Sequence, residues 1–319
     1  MDECRICKAG GVFAHHSVPE MMFGTREPFD YFLCSACGCL QIASIPEDLA
    51  RFYPENYYSN AADSRVKVWL KGQRLRFDLG ERSWLGRRMS ERFGADACSR
   101  AIRLGHISRS DPILDVGGGS GAHLRPLRAA GFTNLLGIDA FVRHEVSEPG
   151  MRIARSRLRD VSGSFRLIMM HHSFEHMPDP DVVLTEALGR LAVDGFILIR
   201  IPVLGYGWRN YGVNWVDLDA PRHLFLHSRE SMAVLTERHG LEIADLTFDS
   251  SELEIWGSEQ YLRGIAHRSP KSHDVDPRGS VFSPAQISAY RRTVSELNRK
   301  GDSGRAAFLL RRAKAGARC

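Results

Sequence analysis

The chain has 319 residues, 43% of them hydrophobic, and its 43 basic and 38 acidic side chains give a formal net charge of +5. The hydrophobic fraction is ordinary for a globular protein, and the length allows one full α/β domain with additions and a sizeable core. No stretch approaches the roughly 18 consecutive apolar residues of a membrane-spanning helix, and residues 1–20 lack the apolar run of a secretory signal. We therefore expect a cytoplasmic protein without a membrane span.

Residues 1–50 contain two C-x-x-C pairs, a spacing typical of a four-thiolate zinc site with a somewhat long intervening arm. A segment this short needs a bound metal or disulfides to fold stably. Because a cytosolic protein keeps its thiols reduced, a metal is favoured over disulfides. The predicted ligands of this structural Zn²⁺ ribbon are Cys4, Cys7, Cys34 and Cys37. Three further side chains are predicted to be loop or packing residues and not ligands: His15, His16 and Cys39.

Residues 51–109 predict a helical linker or cap, because apolar side chains recur at helical spacing between basic ones. From residue 110 to 262, short apolar runs alternate with helical patterns, which is typical of a mostly parallel sheet. The predicted strands are 112–116, 135–139, 166–170, 195–201 and 241–248, with a short element around 151–158. The predicted helices are 121–130, 181–192 and 228–239. Ligands of such sheets bind beyond the carboxyl ends of the strands.

The first predicted strand of this domain runs into a glycine-rich loop. Glycines suit such a turn because a side chain would keep a small molecule off the backbone. Three residues satisfy the dinucleotide pattern G-x-G-x-x-G/A: Gly117, Gly119 and Ala122. A nicotinamide or flavin cofactor is therefore one interpretation. Asp115 favours a ligand with an ammonium group instead, and Asp139, at the end of the next strand, is placed to accept both hydroxyls of a ribose.

At these residues the chain resembles the class I S-adenosylmethionine-dependent methyltransferases, whose first motif has the form acid-x-Gly-x-Gly-x-Gly and whose second strand ends in an acidic residue. The matching positions are Asp115, Gly117, Gly119, Gly121 and Asp139. The resemblance implies a Rossmann-like sheet with helices on both faces and S-adenosylmethionine as the cofactor. It implies that Asp115 and the glycines hold the amino-acid end of the cofactor and that Asp139 holds its ribose.

Residues 165–180 resemble the F-D-h-I-x-x-x-x-x-h-E-H-h-x-D-P stretch of the same superfamily, although Arg166 stands where the family usually has Asp. We assign His171 to the cofactor site. His176 is our first choice of general base, because imidazole titrates near neutral pH and can take a proton from a hydroxyl as the methyl arrives. The alternatives for these histidines are loop residues bonded to backbone, or a catalytic metal, although their spacing matches no open zinc site.

The loop at residues 206–215 holds more large aromatic side chains than a connector needs, and such rings can recognise a sugar or a planar group. We assign Tyr211 in this loop to acceptor binding. Residues 218–225 resemble a P-R-H-hydrophobic motif of many glycan and small-molecule methyltransferases. The resemblance implies that Arg222 binds the acceptor and that His223 is catalytic. The alternative is that Arg222 pairs with a carboxylate and holds the shape of the loop.

The chain lacks the N/D-P-P-Y/F motif of amino-group methyltransferases and the Pro-Cys nucleophile of cytosine-C5 enzymes, so oxygen is the favoured acceptor atom, with carbon second. Over residues 1–262, a ribbon followed by this type of domain looks like bacterial families associated with polysaccharide and sugar modification. A small-molecule or glycan acceptor is therefore expected. Two alternatives stay open: RNA methylation, suggested by the ribbon and basic helices although the ribbon is acidic, and a non-catalytic scaffold that binds the cofactor.

Residues 254–261 are predicted to form the closing strand or hairpin of the sheet, and residues 263–319 a linker followed by basic helices. Ser283 begins a capping box with Pro284 at the first helical position. From residue 291 to 318, nine Lys and Arg side chains outnumber two acidic ones. Runs of this kind are usually solvated helix faces, although they can bind nucleic acid or an anionic membrane.

Overall fold

The structure is a computed structural model that describes residues 2–53, 63–94 and 96–314. Its strands, in chain order, are β1 (Asp2–Glu3), β2 (Gly10–Gly11), β3 (Ala14–Pro19), β4 (Pro28–Leu33), β5 (Leu40–Ile42), β6 (Ile113–Val116), β7 (Leu135–Ile138), β8 (Val146–Glu148), β9 (Met151–Ala154), β10 (Phe165–His171), β11 (Leu191–Pro202), β12 (Phe225–Leu226), β13 (Leu241–Phe248) and β14 (Arg305–Arg312). Its helices are α1 (Arg65–Asp78), α2 (Trp84–Phe93), α3 (Ala97–Leu104), α4 (Leu124–Ala129), α5 (Pro180–Arg190), α6 (Tyr206–Tyr211), α7 (Arg229–Arg238), α8 (Leu253–Leu262) and α9 (Pro284–Lys300).

Eight strands form the central sheet, in the order β13-β14-β11-β10-β6-β7-β9-β8. The strands from β11 to β9 pair in parallel, so their carboxyl ends meet at one edge. β14 is antiparallel to both its neighbours, and β8 is antiparallel to β9. Along β10, Ile168 and Met170 pack into one apolar cluster and Leu167 and Met169 into another, because a parallel sheet buries both its faces. The predicted α/β architecture with a mostly parallel central sheet is confirmed.

The strands and helices predicted within this sheet are confirmed as β6, β7, β10, β11, β13, α4, α5 and α7, and the short element near residue 151 is β9. The helical segment before the sheet is confirmed as α1 to α3, which begin at the side-chain caps Ser64, Ser83 and Asp96. α1 lies close on α4, the helix after the glycine loop, since a Cβ on Gly72 would meet the Cβ of Ala129 at 2.8 Å. Beyond Tyr53, the predicted turn-rich link lies outside the described residues.

The predicted basic helix at the end of the chain is wrong, because its residues form β14, which inserts between β11 and β13. Residues 306–310 are an apolar, buried run bounded by arginines. Such a pattern fits a buried strand and a short helix equally well, and the open edges of β11 and β13 decide between them. Arg305 pairs with Asp217 at 2.8 Å and Arg311 with Glu242 at 2.6 Å. The last five residues of the predicted helix, 315–319, lie outside the described ones.

The predicted strand or hairpin at residues 254–261 is wrong, because these residues form most of α8. The helix is buried on nearly every side, Trp256 and Tyr261 included. A helix without an exposed face has no amphipathic stripe by which its sequence could reveal it. The capping box at Ser283 is confirmed as the start of α9. Across the described ranges, no helix has both the length and the apolar character needed to cross a membrane.

The N-terminal ribbon forms a second sheet of β3, β4 and β5, and β12, which follows the parallel strands in the sequence, completes it. Two hydrogen bonds strengthen this junction. The Tyr31 hydroxyl donates to the carbonyl of His223 at 2.8 Å, and the N–H of Ile42 donates to the carbonyl of Leu224 at 3.0 Å. The ribbon is therefore bonded directly to the segment that carries His223.

Candidate cofactor and acceptor site

The glycine loop lies at the carboxyl edge of the central sheet, between β6 and α4. Gly117 has φ +75° and Gly121 has φ +83°, a backbone region that favours glycine. A Cβ on Gly117 would lie 2.5 Å from the Cβ of Ser173, which follows β10. The Ser173 hydroxyl also donates to the carbonyl of Val116 at 2.7 Å. The loop is thus packed against the segment that carries the candidate histidines.

Asp115 lies at the end of β6, fully buried beneath the glycine loop. Gly118 passes so close that a Cβ there would lie 2.5 Å from its Oδ2. Within the described part of the chain, neither carboxylate oxygen has a hydrogen-bond partner. Burial, with Asp139 nearby, raises the pKa of Asp115 to about 7. A buried carboxylate of this kind is stabilised by a cation, so the site fits the ammonium group of S-adenosylmethionine.

Asp139 follows β7 and is half-buried beside the glycine loop. Its carboxylate accepts hydrogen bonds from the backbone N–H of Gly119 at 3.1 Å and of Phe141 at 2.7 Å. These bonds fix the side chain and leave further acceptor capacity, since a carboxylate offers about four lone-pair sites. The placement suits ribose binding, and that role stays a prediction.

His171 is the last residue of β10, and its ring stacks on that of His123 with centroids 4.0 Å apart. The side chain is buried, and neither ring nitrogen has a hydrogen-bond partner among the residues that the structure describes. Burial lowers the pKa of His171 well below its usual value, so the ring is neutral. Its assignment to the cofactor stays a prediction.

His176 and His223 lie 47 positions apart in the sequence, and the structure brings their ring centroids to 4.8 Å. Nδ1 of His176 donates to the carbonyl of Arg222 at 2.8 Å, and Nδ1 of His223 donates to the carbonyl of Asp217 at 2.7 Å. A carbonyl only accepts, so each neutral ring carries its free lone pair on Nε2. Burial lowers the pKa of both histidines.

Glu175 is a candidate functional residue that sequence reasoning missed, although it occupies the acidic position of the E-H pair in the stretch from 165 to 180. Its side chain is fully buried. Oε1 lies 3.9 Å from Nε2 of His223, and Oε2 has no hydrogen-bond partner within the described ranges. Burial raises the pKa of Glu175 to about 8.

His172 is a second histidine in contact with the Glu175 carboxylate. The Arg200 guanidinium donates to Nε2 of His172, so Nδ1 carries the proton and donates to Oε1 of Glu175 at 3.3 Å. Arg200 is itself paired with Asp249 at 2.6 Å. A chain of side chains thus connects β11 to the histidine pair.

Arg222 is fully buried between two carboxylates. Its guanidinium lies 2.6 Å from Asp219 and 2.9 Å from Glu20 of the ribbon, and it also donates to the carbonyl of Phe52 at 3.2 Å. The two carboxylates are the partners expected if Arg222 forms an ion pair that holds the shape of the loop. Because the side chain has no exposed surface, the geometry gives no support to acceptor binding, which stays a prediction for Arg222.

The structure divides the aromatic side chains of the 206–215 loop into two groups. Trp215 is fully buried, and the Trp208 ring packs edge-on against His16 of the ribbon with centroids 5.1 Å apart. Tyr206 and Tyr211 are half-buried, with centroids 6.3 Å apart. The tryptophans therefore serve packing, and the tyrosine pair is what this loop can offer an acceptor. The role of Tyr211 stays a prediction.

The four cysteines predicted as metal ligands converge. Sγ of Cys4 lies 3.7 Å from that of Cys37, and Sγ of Cys7 lies 3.6 Å from that of Cys34. A tetrahedral zinc ion with Zn–S bonds of about 2.3 Å holds its sulfurs about 3.8 Å apart, so the cluster fits zinc. The Gln41 amide also donates to Sγ of Cys4 at 3.1 Å. The residues predicted not to be ligands lie outside the cluster: His15, His16 and Cys39.

Comparison with known proteins gives the family. Residues 87–246, which are 160 of the 319 residues, match the family model described as a methyltransferase domain. The chain therefore belongs to the methyltransferase-domain family. It is an S-adenosylmethionine-dependent methyltransferase, and the dinucleotide interpretation of its glycine loop is set aside. No curated protein matches the chain.

Several solved structures are similar in fold. A putative sarcosine dimethylglycine methyltransferase from Galdieria sulphuraria is 17% identical, with a TM-score of 0.45, over 72% of this chain and 87% of its own. An S-adenosylmethionine-dependent methyltransferase from Mesorhizobium loti is 18% identical, with a TM-score of 0.40, over 69% of this chain and 99% of its own. Similarity at this level carries no information about the acceptor.

Proposed function

We propose that the protein transfers the methyl group of S-adenosylmethionine to a hydroxyl oxygen of a sugar or glycan. The observation that carries this proposal is the contact between Gly117 and Ser173. It joins the glycine loop, with Asp115 and Asp139 beside it, to the segment that ends in His176. The residues that we propose to bind the cofactor and the histidine that we propose for the acceptor are therefore carried by segments in direct contact.

The reaction is a direct displacement, in which the acceptor oxygen attacks the sulfonium methyl in line, the C–S bond breaks and S-adenosylhomocysteine leaves. The main contribution of the protein is to align the two reactants. Nε2 of His223 is free to take the hydroxyl proton, and Oδ2 of Asp219, 4.0 Å away, would stabilise the imidazolium that forms. Although burial opposes it, the Arg222 guanidinium holds the pKa of Asp219 below its usual value, so this carboxylate is charged.

The choice of a sugar rests on the half-buried tyrosine pair, Tyr206 and Tyr211, and on the resemblance of the ribbon-bearing chain to sugar-modifying families. Tyrosine rings combine an apolar face with a hydroxyl, which suits a ring that carries hydroxyl groups. The hypothesis of RNA methylation loses part of its support, because the residues expected to form a basic helix at the end of the chain form β14. Arg305 and Arg311 in this strand are paired with carboxylates.

The cofactor half of this proposal is tested by Asp139→Ala. Loss of the hydrogen bonds to the ribose and to the glycine loop is expected to weaken S-adenosylmethionine binding roughly 100-fold, since a bond to a charged group contributes about 1.5–3 kcal/mol. Calorimetric titration of both proteins with S-adenosylmethionine measures the change.

Two controls accompany that titration. Asp139→Asn keeps one carbonyl oxygen and should lose less affinity than the alanine variant. NAD should not bind the wild type. Absence of S-adenosylmethionine binding, or an unchanged affinity in Asp139→Ala, would contradict the cofactor assignment.

Binding of S-adenosylmethionine is expected to weaken as the pH falls below about 7. The free protein holds a proton on Asp115 below its pKa of about 7, and the ammonium group of the cofactor favours the carboxylate. Each bound cofactor must therefore displace one proton, and the affinity drops up to about tenfold per pH unit. Titrations between about pH 5.5 and 8 measure the slope. Asp115→Asn should bind weakly with no slope, and a flat profile in the wild type would show that Asp115 does not face the cofactor.

A further inference from the structure

The geometry points to a second metal site, for a divalent first-row transition ion, held by Glu175, His176 and His223. One ligand atom from each of these residues lies within 4.8 Å of those of the other two. An ion with bonds of about 2.1 Å holds its ligands up to about 4.2 Å apart, so the atoms need to close by less than about 1 Å. Nothing in the family match assigns a metal to this place.

Both histidines are prepared for coordination. Their Nδ1–H groups are bonded to the backbone carbonyls of Arg222 and Asp217, at 2.8 and 2.7 Å. Metal-binding histidines typically donate their other ring N–H to a carbonyl or carboxylate, which fixes the ring and raises the basicity of the free nitrogen. The Tyr53 hydroxyl adds a contact to Nδ1 of His176 at 3.1 Å.

The third ligand supplies the negative charge. Glu175 is fully buried, yet its Oε2 lacks a hydrogen-bond partner in the described part of the chain. Leaving a buried carboxylate oxygen without a partner is unfavourable, and a cation removes this penalty. The two arginines whose charges act on Glu175 have carboxylate partners of their own, since Arg305 pairs with Asp217 and Arg200 pairs with Asp249.

A backbone hydrogen bond holds the segments that carry the three ligands next to each other. The N–H of Leu224 donates to the carbonyl of Glu175 at 2.8 Å, so the residues on either side of His223 are bonded to the turn that carries Glu175 and His176. Glu175 and His223 are buried and His176 is half-buried, which gives the site one accessible side. Three protein ligands leave a coordination position open for a water or a substrate oxygen.

The donor set separates this site from the cysteine cluster. Two imidazoles and one carboxylate suit Zn²⁺, Fe²⁺, Co²⁺ or Mn²⁺, whereas four thiolates form a closed structural zinc site. Spacing in the sequence could not reveal it, because Glu175 and His176 are neighbours while His223 is 47 positions further on.

The role of the ion rests on the proposed function, whereas its binding does not. The ion would bind the acceptor hydroxyl and lower its pKa, so the oxygen loses its proton to water. That oxygen then forms the bond to the methyl carbon, the C–S bond breaks, and the sulfonium becomes a neutral thioether. No electron is exchanged with another reagent. The ion thus takes over the activating part that His223 would play alone.

Cobalt binding tests the site. Protein with one zinc in the cysteine cluster is titrated with Co²⁺ and followed by calorimetry and by the visible absorption of the bound ion. The wild type should take up one further equivalent, without the sulfur-to-cobalt charge transfer that would report displacement of the ribbon metal. His176→Gln and Glu175→Gln should each weaken this binding at least roughly 100-fold while one zinc per chain remains. The same substitution at the exposed His106 is the control and should bind cobalt like the wild type.

Failure of the wild type to bind a second equivalent, or unchanged binding in both His176→Gln and Glu175→Gln, would overturn the site. His176 is half-buried, so its variant tests the site even if Glu175→Gln does not fold. S-adenosylmethionine binding, measured on the same samples, separates the two proposals. If the cofactor binds but cobalt does not, the metal inference fails and the proposed function is unaffected. If cobalt binds but the cofactor does not, the metal site is supported and the proposed function fails.

Discussion

Replacing Cys34 by serine is expected to remove the metal from the cysteine cluster and to abolish methyl transfer at the same time. Structural zinc in small domains contributes about 10–16 kcal/mol of binding free energy that becomes folding free energy. The ribbon sheet is completed by β12, and Tyr31 is bonded to the carbonyl of His223. Unfolding of the ribbon therefore displaces His223, and a misplacement of about 1 Å is enough to slow catalysis about 100-fold.

Metal analysis, thermal unfolding and consumption of S-adenosylmethionine measure this outcome on one sample. Cys39→Ala is the matched control, since Cys39 lies in the same knuckle, is fully buried and is not among the four converging thiols. It should keep its zinc and lose only packing energy. A Cys34→Ser protein that retains one zinc per chain and wild-type transfer would disprove the coupling.

Arg222→Leu is expected to lower the free energy of unfolding by about 3–5 kcal/mol, because it leaves Asp219 and Glu20 buried without their cation. All three side chains are almost completely inaccessible. For a chain of this size the melting temperature should fall by roughly 6–20 °C, at about 2–4 °C per kcal/mol. Because Glu20 belongs to the ribbon, the loss also loosens the contact between ribbon and catalytic part. Thermal unfolding measures the effect.

Arg209→Leu is the control for that measurement, since Arg209 forms an exposed pair with Asp302 at 2.6 Å. An exposed pair contributes at most about 1 kcal/mol. If Arg222 instead contacts the acceptor, its variant should keep the wild-type melting temperature and raise KM for the acceptor. The two roles predicted for Arg222 are thereby distinguished by one pair of variants.

The sequence predicts the catalytic sheet well where local patterns decide the structure. The apolar run before Asp115 and the glycines after it allow one interpretation, a buried strand that ends in a ligand loop. The sequence does not reveal β14, because its apolar run acquires strand geometry only from β11 and β13, whose edges lie beside it in space.

The contact between the two histidines likewise depends on the fold and not on a local pattern. His176 and His223 could be selected from the motifs that carry them, but their contact depends on the pairing of Leu224 with Glu175, which no spacing reveals. Arg222 sits next to His223 in the sequence and was therefore assigned to the acceptor. Its buried partner Glu20 lies 202 positions away in the chain, so only the fold identifies the ion pair.

The junction between β5 and β12 has a consequence for how the protein is made. Ile42 leaves the ribosome 183 residues before Phe225, which belongs to the strand that completes its sheet. At about 5–20 residues per second, the nascent ribbon waits roughly 10–40 s with an open sheet edge. During that interval the cysteines of both C-x-x-C pairs have already been synthesised, so a zinc ion bound to them as predicted would close the ribbon before β12 is made. If the predicted zinc binds there, metal supply during translation becomes a condition for completing the sheet that joins the ribbon to the segment of His223 in the right order.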